Sequence, residues 1–254
     1  MSRERNLESI VRYLERAFNS GRISSRQDLL RYVRAVAEAP TDNFVDLTRL
    51  AGLDICSDFS GANLSFTDLR HTDLSEADLR GTNLIHADLS NANLNLANFS
   101  LAKLSDADLS NVYANETTFK NARLLSSQFS SAQLIATDFT DADLSNADFS
   151  YASLVYVDFR HSVLETASFY ESVFNGVKFN GANLRRTSFE CANLDGVDFF
   201  GARLSLANMR RAHFHDCTME GLWDAQEAQF YGNSGLSKEL TLALKQKGAI
   251  FQKF

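Results

Sequence analysis

The residues whose types and spacing come nearest to doing chemistry are His213-Phe214-His215-Asp216. A local period of 2 would point both imidazoles the same way, opposite to Phe214. Asp195, twenty residues before His215, would add a carboxylate, and two imidazoles with an acid are a donor set for a transition metal. Surface histidine pairs are more often simply solvated, so no metal and no other cofactor is expected here. Cys56, Cys191 and Cys217 are three, an odd number without metal-ligand spacing; Cys217 reads as a buried thiol and a disulfide framework is not expected. Neither a phosphate-binding loop nor a nucleophile with an adjacent base stands out, so the sequence reads as non-enzymatic.

What must position any functional group is a five-residue beat. From Phe59 to Met219 every fifth residue is Leu, Phe or Met except Ala114, thirty-three units without an insertion or deletion. Two positions before each of them the residue is Ala, Thr, Val, Ser or Cys, never larger than Val. A small and a large inward residue repeating every five fit neither a helix of period 3.6 nor a flat strand of period 2. The chain must turn a corner after each unit, and neighbouring units must complete one another's core.

A twenty-residue overtone gives the number of corners. Phe59, Phe99, Phe119, Phe139, Phe159, Phe179 and Phe199 form one series, and Leu64, Leu84, Leu104, Leu124, Leu144, Leu164, Leu184 and Leu204 form another. Four units per coil stack like on like in a close-packed interior. Stretches such as Ala77-Asp78-Leu79, Ala87-Asp88-Leu89 and Ala182-Asn183-Leu184 resemble the pentapeptide-repeat family, with its consensus A(D/N)LXX. That resemblance implies a mainly β protein: a right-handed quadrilateral β-helix of about eight coils. It implies no single activity. Ala114 predicts a local distortion, since an alanine in place of leucine leaves a cavity unless its surroundings adjust.

Three regions follow: an α-helical N-terminal domain at 1–54, the repeat at 55–221 and a C-terminal cap with one helix at 222–254. Leu7, Ile10, Val11, Leu14 and Phe18 have helical spacing. Ser24 and Gln27 form a capping-box pattern before a second helix that ends by Pro40. A third helix is expected from about Asp42 to Ala51 before Gly52, and a last one over Ser237 to Lys247. Caps are needed because the end coils of a β-stack expose unpaired edges. Some members of the family dimerise through the C-terminal segment, which implies a possible homodimer through a terminal region.

Two sets of outward residues are candidate binding surfaces. Tyr113, Ile135, Tyr151, Val155, Tyr156, Tyr170 and Val173 would form an apolar, tyrosine-rich patch for a protein partner. Asp58, Asp78, Asp138, Asp158 and Asp198 would form an acidic ladder on the phenylalanine-rich face. From 55 to 221 there are twenty-one acids against twelve bases. Such a rod resembles the family's gyrase-binding, quinolone-resistance members, which imitate B-form DNA. Against that stand the family's default Asp at this position, the basic residues Lys178, Arg185, Arg186, Arg203, Arg210 and Arg211, and a repeat free of loops. The nine arginines of the N-terminal region (Arg3, Arg5, Arg12, Arg16, Arg22, Arg26, Arg31, Arg34 and Arg49) are diluted by eight acids and read as a solvated helical surface. An acidic rod does not favour direct contact with nucleic acid. No apolar run reaches the length of a membrane span, and a cytoplasmic protein is expected. The sequence reading is an interaction scaffold or regulatory adaptor for an unknown protein partner, with a DNA-mimic modulator of gyrase or topoisomerase as the alternative.

Overall fold

The computed structural model describes residues 2–252, apart from the side chains of Ser2 and Arg3. Each repeat puts its large residue inward, its small residue inward two positions earlier, and the intervening residue outward. The corner follows at the second residue after the large one, which takes a left-handed conformation, as at Glu76 (φ 60°), Asn111 (φ 58°) and Tyr151 (φ 63°). Asparagine tolerates that region; most L-residues lose about 1–2 kcal/mol there, which burial of the next inward pair offsets. In a typical corner the N–H of the next small residue bonds back to the large one, as Ala62 to the Phe59 carbonyl at 2.9 Å.

The Asp or Asn before the large residue has a local function. Its side-chain oxygen accepts the N–H two residues on: Asp88 from Ser90 at 3.0 Å, Asn98 from Ser100 at 3.0 Å, Asp148 from Ser150 at 2.9 Å. An Asx turn thus starts the corner.

Successive coils pair in parallel at steps of twenty residues, for example Asn63↔Asn83↔Lys103↔Arg123↔Asp143. Strands β1 (Gln133–Ile135), β2 (Ser153–Val155), β3 (Val173–Asn175), β4 (Asn193–Asp195) and β5 (His213–His215) form one sheet in that order. The protein is a parallel β-solenoid. Extended strands span only four turns, fewer than the eight coils expected from the register, and single-residue bridges pair the others. After each strand comes a corner, at Thr137, Val157, Val177, Val197 and Cys217, whose N–H does not make the turn-closing bond that Ala62 makes. There the chain stays extended one residue longer.

Inside, Phe119, Phe139 and Phe159 stack at 4.9 and 5.0 Å. A second phenylalanine series that the sequence reading did not single out, Phe129, Phe149, Phe169 and Phe189, stacks beside it at 4.8 to 5.1 Å. The two columns meet edge to face, as Phe129 and Phe139 do at 5.5 Å and 88°. Such contacts add about 0.5–1.5 kcal/mol per pair beyond area burial. Ala114 is fully buried, and the small slot of its unit holds the larger Val112, so bulk has moved from one inward position to the other.

Helices α1 (Ser2–Asn19) and α3 (Phe44–Leu50) pack on the first coil, and α2 (Arg26–Ala37) packs against both of them. The cap of α2 is Ser25, not Ser24: its Oγ accepts the Asp28 N–H at 3.1 Å. Helix α3 is shorter than expected, starting after Asn43, whose side chain accepts from Asp46. Tyr13 and Phe44 pack on Phe59 at 5.1 and 5.4 Å. The buried Asn6 amide donates to the Asp68 carbonyl and accepts the Asp68 N–H, both at 2.9 Å. It replaces the peptide of a preceding coil.

At the other end the register does not fail at Leu222-Trp223 but slips by one residue. Trp223 N–H bonds to Ala202 and Leu204 N–H bonds to Asp224, so two residues oppose Arg203 in a bulge. Pairing then continues past 221, where the sequence reading ends the rod: Asn208↔Gln229, His213↔Ser234 and Gln229↔Ile250. Helix α4 (Lys238–Gln246), capped by Ser237, bridges the last two segments.

Candidate functional site

The β1–β5 sheet presents two outward columns. One runs Tyr113, Gln133, Ser153, Val173, Asn193, His213; the other runs Ile135, Val155, Asn175, Asp195, His215. The structure therefore brings Tyr113, Ile135, Val155 and Val173 onto one flat face, with coils about 4.8 Å apart. Ile135 is 44% exposed and Val173 50%. Tyr156, 66% exposed, sits at the corner leaving β2. Its ring lies over Gly176, where a Cβ would come within 2.7 Å of it. At the corner entering β2, Tyr151 meets Tyr170 edge to face at 5.7 Å. The Tyr170 hydroxyl is pushed up to about 12, first by its hydrogen bond to Glu171 and then by that carboxylate's charge. It stays a neutral donor at physiological pH.

Towards β5 the same face becomes polar. His215 Nδ1 lies 2.7 Å from Asp195, and Asn175 donates to Asp195 at 3.4 Å. The hydrogen bond to Asp195 raises the His215 pKa, with further help from the charges of Asp216 and Asp195. His213 instead lies 2.7 Å from the Ser234 hydroxyl. The two imidazoles thus turn to different partners, and no group of three or more His, Cys, Asp or Glu is gathered to hold a metal among the described residues. Sequence reasoning missed Ser234, because the one-residue slip that brings it here has no periodic signal. It also missed Trp223, 71% exposed beside the Arg203 guanidinium at 5.3 Å, whose only flag is its place at the break.

The acidic candidates do not form one ladder. Their column reads Asp78, Asn98, Thr118, Asp138, Asp158, Lys178, Asp198, so neutral residues and a lysine interrupt it. Asp78 is clasped by Arg80 at 2.8 and 2.7 Å, and that hydrogen bond lowers its pKa. Burial would raise the Asp158 carboxyl, but hydrogen bonds from the Arg160 side chain and backbone outweigh it and the pKa falls. Asp138 accepts the Thr140 N–H and Asp198 the Phe200 N–H. Asp58 lies 3.6 Å from Arg22 and accepts the Asp54 N–H. These charges are largely spent on corners and ion pairs.

Pentapeptide repeats, in eight copies, match residues 57–95 and 167–205, and the pentapeptide repeat region matches residues 89–159. Together they take in more than half of the chain. It belongs to the pentapeptide-repeat family. Among solved structures, this pentapeptide-repeat chain is similar to HetL, a pentapeptide repeat protein involved in heterocyst differentiation regulation from the cyanobacterium Nostoc sp. strain PCC 7120: 23% identity, 76% of this chain, 86% of that one, TM-score 0.40. It is also similar to QnrB1, a plasmid-mediated fluoroquinolone resistance protein, at 14% identity over 73% of this chain and 90% of that one, with a TM-score of 0.44. A pentapeptide repeat protein from the Arabidopsis thaliana thylakoid lumen is 24% identical over 46% of this chain and 77% of its own, TM-score 0.32. No curated protein matches. No described helix is long and apolar enough to cross a membrane.

Proposed function

We propose that this pentapeptide-repeat protein is a non-enzymatic scaffold or regulatory adaptor, and that the face of β1–β3 with its two corners docks a protein partner. The observation that supports this is the grouping of Tyr113, Ile135, Val155, Val173 and Tyr156 on a rigid surface whose strands already have their backbone bonds. Apolar and aromatic groups there gain by leaving water, while the backbone that carries them is already ordered before binding. Affinity capture with the full chain, followed by Ile135→Glu, Val155→Glu and Tyr156→Lys together, is the test. The variant should keep its β circular dichroism and lose the captured protein; undiminished capture would refute the face.

The DNA-mimic reading has less support, because the column of Asp78, Asp138, Asp158 and Asp198 is interrupted and partly neutralised. Inhibition of gyrase supercoiling by an excess of this protein would restore it.

A further inference from the structure

At the first coil, the outward residues Asp58, Asn63, Asp68 and Asp73 face the side from which a preceding coil would pair. The Asp58 N–H bonds to the Asp54 carbonyl at 2.9 Å, and the Asp68 peptide exchanges both bonds with Asn6. The Asn63 N–H and carbonyl bond to nothing in the described protein, although on its other side the chain pairs fully with Asn83. Asp73 is likewise unbonded through its backbone but stands in open solvent.

Asn63 differs because it has a wall. Helix α1 runs alongside, and Ser9, Arg12, Tyr13 and Arg16 form one side of a groove of about 240 Å³ whose floor is Ala62, Asn63 and Leu64. A second hollow of about 280 Å³ continues it past Tyr13 and Arg16 to Ser60 and Gly61. Arg12 is paired with Glu8, Arg22 with Asp58, and Glu15 stands at the rim, whereas Arg16 is exposed and makes no ion pair among the described residues. The groove therefore offers a main-chain donor and acceptor in strand geometry and an exposed cation.

We propose that this groove binds an extended peptide segment carrying a carboxylate side chain. Its backbone adds to Asn63 as Asn83 does from the other side, and its carboxylate reaches Arg16. Main-chain bonding supplies the register and Arg16 the choice of charge. The site is separate from the β1–β3 face, so the two succeed or fail independently.

The test is an NMR titration of the ¹⁵N-labelled full chain with the acetylated, amidated peptide Thr-Val-Glu-Val-Glu-Val-Thr. The Asn63 amide signal should shift saturably and its hydrogen exchange should slow. Replacing both Glu by Lys, or introducing Arg16→Glu in the protein, should weaken binding about tenfold or more. A central proline in the peptide should abolish the Asn63 shift, since the added strand loses its donor. Arg16 is exposed, so the spectrum of the variant verifies its fold. An unmoved Asn63 signal, equal binding of the Lys peptide, or shifts confined to β1–β5 would overturn the proposal.

Discussion

At the N-terminal end the neighbour that Asp68 would have in a longer stack is replaced by one side chain, the Asn6 amide, carried on α1. At the C-terminal end the neighbour of Gln229 and Phe230 is replaced by backbone, Gly248 to Ile250, brought round after α4. The first solution leaves most of the stack untouched but needs three helices to hold a single amide, with Tyr13 and Phe44 resting on Phe59. The second prolongs the core, since Phe251 stacks on Phe230 at 5.4 Å and Phe230 on Phe214 at 6.1 Å. It requires the chain to accommodate an extra residue at Trp223 and a glycine where the backbone cuts inward. A side-chain cap is local, whereas a backbone cap becomes part of what it covers.

The comparison can be broken most strongly from the middle. Phe139→Ala removes a ring that touches both phenylalanine columns and should cost about 3–5 kcal/mol. In a stack where each coil contacts only its neighbours, amide exchange should speed up on both sides of the lesion. Exchange confined to one end would contradict that picture. Asn6→Leu removes buried hydrogen bonds to Asp68 and Asp42 and should cost about 2–4 kcal/mol in denaturant unfolding. Exchange should then rise in the first coils alone. Gly235→Ala should cost about 2–3 kcal/mol, because its φ is +85° and the new methyl would meet the Phe214 carbonyl oxygen at 1.7 Å. Loss of protection should here centre on β5 around Phe214 and on the residues after 221, and a change at Asn6 would show that the ends communicate.

The smallest expected effect concerns His215 in the last turn before the slip. Its pKa is raised above 6.5, first by the Asp195 hydrogen bond. Its stabilising contribution is therefore fully present below about 6.5 and is lost as pH rises through the higher folded value. An NMR titration should find the His215 midpoint above the ordinary histidine value and lower it in Asp195→Asn. An unchanged midpoint in that variant would remove Asp195 as the cause.

The solenoid was legible because the core repeats: every inward residue obeys a period that one strand of text displays. The outer columns could be assigned from the same period, so Ile135 beside Val155 and Tyr113 in line with Val173 were within reach. What escaped lies where the period is broken or absent. The Trp223 bulge, the pairing of His213 with Ser234 and the depth of Asn6 each depend on two segments meeting without a shared rhythm. The acidic residues are hard to read for a different reason: aspartate at Asp78 or Asp158 is selected by a backbone N–H two residues away, so its charge says little about a partner.

The Asn6 amide addresses only main-chain atoms of Asp68, so its fit does not depend on which side chain that residue carries. An end piece of this kind is portable. Whole turns of twenty residues can be added or lost between the two ends without redesigning either, making length an adjustable ruler. An increment of five would instead rotate one end by a quarter turn against the other and change which faces point the same way.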